Sequence, residues 1–104
     1  LDINPLKEGH TLVIPKQEID YFFDINDDLL QEYMLFSKRV AKAIEKSIPC
    51  LRVGLTVIGL EVPHAHTHLI PIENITDMSF NSPKLKITSD RMLEIQELII
   101  SNFI

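Results

Sequence analysis

Three histidines at alternate positions constrain the fold of this chain more than any other feature. They lie in the segment His64-Ala65-His66-Thr67-His68, which apolar residues follow at positions 69, 70 and 72. Successive side chains of a β-strand point to opposite faces of the sheet, whereas residues two apart on a helix do not meet. The pattern therefore predicts a strand over residues 61–72, with the three imidazoles in a row on one face.

Two further stretches have the alternation that is typical of strands. They cover residues 10–14 and 51–58, and the second precedes the histidine strand by a turn at Gly59, so that these two strands form an antiparallel hairpin. Gly54, in the middle of its strand, indicates either a bulge or a close approach of another segment to the backbone.

Two amphipathic stretches predict helices. The first begins after Asn26, an expected N-cap, and continues to about Ser47 with apolar residues at intervals of three or four. The second begins at Ser89 or Asp90 and continues to about residue 102. The predicted fold class is therefore α+β, an antiparallel sheet with a long helix and a C-terminal helix.

A long polar connection, residues 73–87, lies between the histidine strand and the second helix. Connections of this length without secondary structure are often functional. Met78 and Phe80 are its large apolar side chains, and they either pack into the core or cover a pocket or a partner surface.

Composition restricts the kinds of partner. The 104 residues suffice for one domain, and a formal net charge of -5 argues against a nucleic-acid partner, which usually requires a basic surface. No apolar run approaches the roughly 18–20 residues of a membrane span, so no membrane partner is expected. The single cysteine, Cys50, cannot form an internal disulfide and fits a cytoplasmic location.

Four kinds of chemistry are compatible with three imidazoles on one face. They can be core histidines that are satisfied by hydrogen bonds, although each then needs a partner. Alternate histidines can also chelate a transition metal, with Glu61 as a further ligand. One imidazole can act as a nucleophile, or the row can bind an anion without chemistry. His10, on the predicted upstream strand, is a candidate for a fourth imidazole at the same place.

The histidine segment resembles the motif His-x-His-x-His followed by two apolar residues, for which the histidine triad (HIT) nucleotide hydrolases and transferases are named. Leu1-Asp2-Ile3-Asn4-Pro5 followed by Gly9-His10-Thr11-Leu12-Val13-Ile14-Pro15-Lys16 is similar to the other signature of that family. Together the two motifs extend the resemblance over essentially the whole chain. It implies a single HIT domain over residues 1–104, without the strands and helix that the family usually has on the N-terminal side.

The resemblance also implies a mechanism and a set of site residues. His66 would attack the α-phosphate of a nucleoside phosphoramidate or a dinucleoside polyphosphate, and water would hydrolyse the resulting nucleotidyl-histidine. His64 and His68 would flank the phosphate. The implied nucleotide-binding residues are Asp2 at the ribose, Ile3 at the base, His10, and the backbone of Gly59, Leu60 and Glu61. The implied partners are a purine nucleotide such as AMP or GMP and a second copy in a homodimer, with no cofactor and no bound metal.

Two positions depart from the family pattern. Leu60 and Glu61 stand where many phosphoramidate-cleaving members have Gln and then Ser or Thr, whose hydroxyl is associated with protonation of the leaving group. An ionised Glu61 would instead repel a phosphate. Two alternatives therefore stay open, a nucleotide-binding module with little or no catalysis and a metal-binding histidine cluster.

Overall fold

Three antiparallel strands form the sheet at the centre of the protein. In the computed structural model, which describes residues 1–103, β1 (Thr11–Val13) and β2 (Arg52–Thr56) flank the central strand β3 (Thr67–Ile72). The register sets His68 opposite Leu12 of β1 and opposite Thr56 of β2. Five of the six residues of β3 are buried, because strands cover both of its edges and a helix covers one face.

Two helices complete the fold, so the predicted α+β class is confirmed. α1 (Asp27–Ser47) begins at the predicted N-cap, since the Asn26 side chain accepts a hydrogen bond from the backbone N–H of Leu29 at 2.9 Å. α2 (Ser89–Asn102) packs against α1. Its N-cap is Thr88 rather than Ser89 or Asp90, because the Thr88 hydroxyl accepts the N–H of Arg91. Neither helix, within residues 1–103, is long and apolar enough to cross a membrane.

The core lies between the sheet and the two helices. Its buried side chains come from every main element except β2, and they are Val13, Tyr33, Val40, Ile44, Ile48, Leu69 and Ile95. Short 3₁₀ helices lie at Phe22–Asp24, between β1 and α1, and at Ile75–Met78, between β3 and α2.

The predicted histidine strand was wrong over residues 61–66. These residues belong to a loop, residues 57–66, so β2 and β3 pair as expected but no tight turn at Gly59 joins them. The reason is that the backbone N–H of Ala65 donates to the carbonyl of Ile19 at 2.7 Å, and Pro63 has no N–H to donate. The hydrogen bonds of this segment therefore go to a distant loop, and His64 and His66 precede β3 rather than lie on it.

Gly54 marks a close approach of another segment, one of its two predicted explanations. A side chain at this position would begin 2.8 Å from the sulfur of Met78 and 3.2 Å from Cδ1 of Ile72. Met78 therefore packs directly on β2, and it anchors the start of the long connection, from which Phe80 extends towards the histidines.

Candidate active site

A pocket of about 250 Å³ opens over His66 and His68. The loop before β3 supplies one wall, and the connection after β3 supplies the other. The lining residues are Ile58, Gly59, Leu60, Glu61, Val62, His66, His68, Phe80 and Lys84.

Backbone carbonyls determine which ring nitrogens of His66 and His64 carry protons. Nδ1 of His66 lies 2.9 Å from the carbonyl oxygen of His64. A carbonyl only accepts hydrogen bonds, so this nitrogen carries the proton and Nε2 of the neutral ring keeps its lone pair. His64 in turn donates its Nε2–H to the carbonyl of Pro15 at 2.8 Å. His66 is therefore held with its more distal nitrogen able to act as a base or a nucleophile.

A second hydrogen-bonded chain orients His68. The backbone N–H of Leu6 donates to Nδ1 of His10 at 3.1 Å, so the neutral His10 ring carries its proton on Nε2. That N–H lies 3.0 Å from Nδ1 of His68 and donates to it. The proton of His68 is consequently on Nε2, as a hydrogen-bond donor.

Burial keeps this pair of imidazoles neutral. His10 is 1% exposed and His68 is 8% exposed. Burial, together with the positive charge that His66 and His10 can carry, lowers the pKa of His68 to about 4. The pKa of His10 is also lowered by burial, against the opposing effect of the Asp2 carboxylate. At neutral pH both rings therefore act as neutral hydrogen-bonding groups.

The structure brings five of the nine predicted site residues to the pocket: His66, His68, Gly59, Leu60 and Glu61. His10 lies behind His68, and an Asp2 carboxylate oxygen lies 3.5 Å from Nε2 of His10. His64 turns its ring to Pro15 and does not line the pocket, and Ile3 is 84% exposed away from it.

Two lining residues come from the connection after β3. The ring of Phe80 packs edge-on against His68, with centroids 4.8 Å apart, and Nζ of Lys84 lies 4.9 Å from the centroid of Phe80. Phe80 had three predicted placements, in the core, over a pocket or on a partner surface, and it lines the pocket. The sequence contains no signal for Lys84, because this stretch is polar and has no periodicity.

Three residues of the loop that line this pocket have backbone N–H groups without a protein acceptor among residues 1–103. In the described part of the chain, residues 1–103, no backbone N–H of Gly59, Leu60 or Glu61 donates a hydrogen bond to the protein. Gly59 has a φ of 74°, and a side chain there would meet open space, so its conformation rather than packing accounts for the glycine. A run of free N–H groups beside two imidazoles can accept an anion such as phosphate.

Asp2, His10 and His68 form a group whose ligand atoms lie within 4.8 Å of one another. The tautomer of His10 opposes metal binding at this place. Its Nδ1 lone pair already accepts the N–H of Leu6, and its Nε2 carries a proton. A metal bound at Nε2 would require the loss of that proton, which turns the neutral His10 ring into an imidazolate anion. The geometry of Asp2, His10 and His68 therefore suits a chain of hydrogen bonds better than metal coordination.

A small antiparallel sheet, a long helix packed on it, and alternate histidines that lead into the central strand define the histidine triad class of fold. The chain belongs to the HIT family, because the family model described as HIT domain matches residues 1–75. The family resemblance of the two sequence motifs is thereby confirmed.

Known proteins of this family are similar over different shares of the chain. Adenosine 5'-monophosphoramidase HNT1 of Saccharomyces cerevisiae is 42% identical over 72 residues, which are 68% of this chain and 46% of that protein. The solved structure of a Hit-like protein from Bartonella henselae has a TM-score of 0.81 at 24% identity and covers 98% of this chain and 76% of its own. A histidine triad protein from Sulfolobus tokodaii has a TM-score of 0.80 at 26% identity, with coverages of 99% and 74%. The chain spans about half the length of the curated relatives it matches.

Proposed function

We propose that this chain is a nucleotide hydrolase or nucleotidyl transferase that acts at the α-phosphate of a nucleoside phosphoramidate or a dinucleoside polyphosphate. One observation carries the proposal. His66 lines the pocket with its Nδ1–H held by the carbonyl of His64, so Nε2 is the nitrogen available for reaction. The relative named adenosine 5'-monophosphoramidase supports an adenosine nucleotide as substrate and AMP as product.

The proposed reaction has two displacements at phosphorus. In the first, Nε2 of His66 donates its lone pair to the α-phosphorus while the bond to the amine nitrogen or bridging oxygen breaks. The electron pair of that bond leaves with the departing group, which then takes up a proton. In the second, water attacks the same phosphorus and gives up a proton to solvent, the P–N bond breaks with its electron pair returning to Nε2 of His66, and the nucleoside monophosphate departs. Imidazole suits both steps because it is a good nucleophile and a good leaving group.

Donors around the pocket would stabilise the phosphoryl oxygens during both displacements. These are the Nε2–H of His68, whose orientation depends on His10, and the free backbone N–H groups of Gly59, Leu60 and Glu61. Such donors, aimed at developing negative charge, commonly contribute about 10²–10³-fold each to the rate. His64 acts less directly in this scheme, since its carbonyl orients His66.

A trapping experiment tests the covalent step. The protein is incubated with adenosine 5'-phosphoramidate, quenched at alkaline pH, digested and examined by mass spectrometry. We expect an adenylyl group on the peptide that holds His66, and its absence in His66→Ala with AMP binding kept. Lys86→Gln serves as the control, because Lys86 is exposed and does not line the pocket.

A nucleotide-binding module with little catalysis is the alternative. Glu61 lines the pocket and is exposed, so its carboxylate would oppose the approach of a phosphate, and Leu60 beside it offers no proton. Wild-type protein that binds AMP but releases none from phosphoramidates or dinucleoside polyphosphates, and forms no adduct, would favour this alternative over the hydrolase.

We also propose that two copies of this single domain form a homodimer in the cytoplasm. β2 leaves one edge of the sheet unpaired, with Leu55 44% exposed on it and Leu51 75% exposed just before it. Sedimentation equilibrium should give a dimer for the wild type and a monomer for Leu55→Lys. A monomeric wild type at micromolar concentration would contradict the dimer, and recovery outside the cytosolic fraction would contradict the location, for which the lone Cys50 is the support.

A further inference from the structure

We propose that Lys84 selects substrates by the charge of the leaving group. Its ammonium would bind a negatively charged leaving group, such as the phosphate chain of a dinucleoside polyphosphate, where that group leaves the pocket. The inference rests on the proposed function, because it concerns the part of the same substrate beyond the α-phosphate.

The connection after β3 holds Lys84 at the mouth of the pocket. Lys84 is exposed and lines the pocket together with the two imidazoles. Its Nζ lies over the ring of Phe80, which in turn packs against His68. The next residue is fixed, since the backbone N–H of Leu85 donates to the carbonyl of Pro5 at 2.8 Å. The cation therefore has a defined position, one aromatic ring away from the catalytic histidines.

Lys84 is not neutralised by a neighbouring residue. No carboxylate of residues 1–103 lies within 4.0 Å of its Nζ, whereas Lys7 and Arg91 have such partners. Glu61 supplies a charge of the opposite sign elsewhere in the pocket lining. An anionic group that extends outwards from the pocket is thus attracted by Lys84 and repelled by Glu61.

The position of Lys84 favours the leaving group over the α-phosphate. His68 is buried, and together with the backbone of residues 59–61 it already supplies donors for phosphoryl oxygens next to His66. Lys84 is exposed, and its Nζ lies 4.9 Å from the centroid of Phe80, whose ring packs against His68. A phosphate chain that extends from the α-phosphate towards solvent can bring negative charge to this exposed ammonium, whereas the ammonia of a simple phosphoramidate has no negative charge for it to attract.

The test compares two substrates that share the adenylyl group. Diadenosine tetraphosphate has an anionic leaving group, and adenosine 5'-phosphoramidate has a neutral one. We expect Lys84→Gln to lower the ratio of kcat/KM for the first over the second about 1.5- to fivefold, the range for one solvent-exposed ion pair. Lys84→Arg should restore the ratio, Glu61→Gln should raise it, and Lys86→Gln, an exposed lysine outside the pocket lining, should leave it unchanged.

Binding measurements separate this inference from the proposed function. Calorimetric titration gives the ratio of the Kd for ADP to the Kd for AMP, which compares an added phosphate without turnover. Lys84→Gln should weaken the binding of ADP relative to that of AMP about threefold. If the wild type turns over neither substrate, the proposed function fails, while the ADP-to-AMP ratio still decides the role of Lys84. The inference would be overturned if Lys84→Gln and the wild type had equal ratios of kcat/KM and equal ratios of Kd. It would also be overturned if the wild type bound neither AMP nor ADP.

Discussion

Replacing Tyr33 by phenylalanine would remove one buried hydroxyl that joins α1 to two strands. This hydroxyl donates to the carbonyl of Val13 on β1, accepts the backbone N–H of Thr67 on β3 at 2.7 Å, and lies 3.2 Å from the Thr67 hydroxyl. Tyr33 is 5% exposed, and burial raises its pKa, so the phenol keeps its proton and its role as donor. Thr67 lies between His66 and His68, so the same contact holds the start of the histidine-bearing strand.

The cost of Tyr33→Phe follows from the groups that it leaves without partners. The carbonyl of Val13 and the N–H of Thr67 would each be unsatisfied in the core, at about 1–3 kcal/mol per group. The aromatic ring remains, so packing against Phe22 is kept. We therefore expect the free energy of unfolding to fall by about 2–6 kcal/mol, a large part of the roughly 5–15 kcal/mol that stabilises a domain.

Urea unfolding followed by circular dichroism measures this loss. With a dependence of about 2 kcal/mol per molar urea, the middle of the usual range, the midpoint should fall by about 1–3 M. Tyr21→Phe is the matched control, because Tyr21 is 59% exposed and its hydroxyl makes no hydrogen bond within residues 1–103. The control should change stability by less than about 0.5 kcal/mol. Equal midpoints for the two variants would refute the argument that this hydroxyl stabilises the sheet.

Three further predictions concern protonation and backbone conformation. The free energy of unfolding should decrease as pH falls from about 6.5 to about 4, because His68 has a pKa of about 4 in the folded chain and the unfolded chain takes up the proton first. Melting temperatures from pH 7 to 4.5 should show this, and His68→Gln should flatten the dependence over that range. Histidine-ring ¹⁵N NMR at neutral pH should show the Nδ1–H tautomer for His66 and the Nε2–H tautomer for His10, and the reverse assignment for His66 would contradict its role as nucleophile. Gly9→Ala should lower the free energy of unfolding by about 1–3 kcal/mol, because φ is 91° and the new Cβ would lie 2.9 Å from Ile48. Gly59→Ala should lower it by only about 1 kcal/mol, because no atom lies within 4 Å of the new Cβ. Equal shifts in melting temperature for the two variants would contradict this difference.

Local sequence signals predicted the elements whose boundaries depend on nearby residues. α1 begins at Asn26 and ends before Pro49 because a cap and a residue without an N–H act over one helical turn. The alternation of residues 64–68 was a weaker guide, since only residues from Thr67 onwards lie in the strand. The same alternation suits a strand or an extended loop, and the contact between Ala65 and Ile19 decides between them.

The sequence by itself determined the family and the chemical groups, because the histidine motif and the upstream motif are contiguous stretches of chain. The tertiary structure alone decided which ring nitrogen carries the proton in His64 and in His68. The partners that set the protons of His64 and His68 are Pro15 and His10, which are 49 and 58 residues away in the sequence. The tertiary structure also brought Phe80 and Lys84 to the pocket, because Met78, which precedes them in the connection, packs against Gly54 of β2. Propensities and caps act over a few residues, whereas hydrogen bonds between distant segments exist only once the sheet has formed.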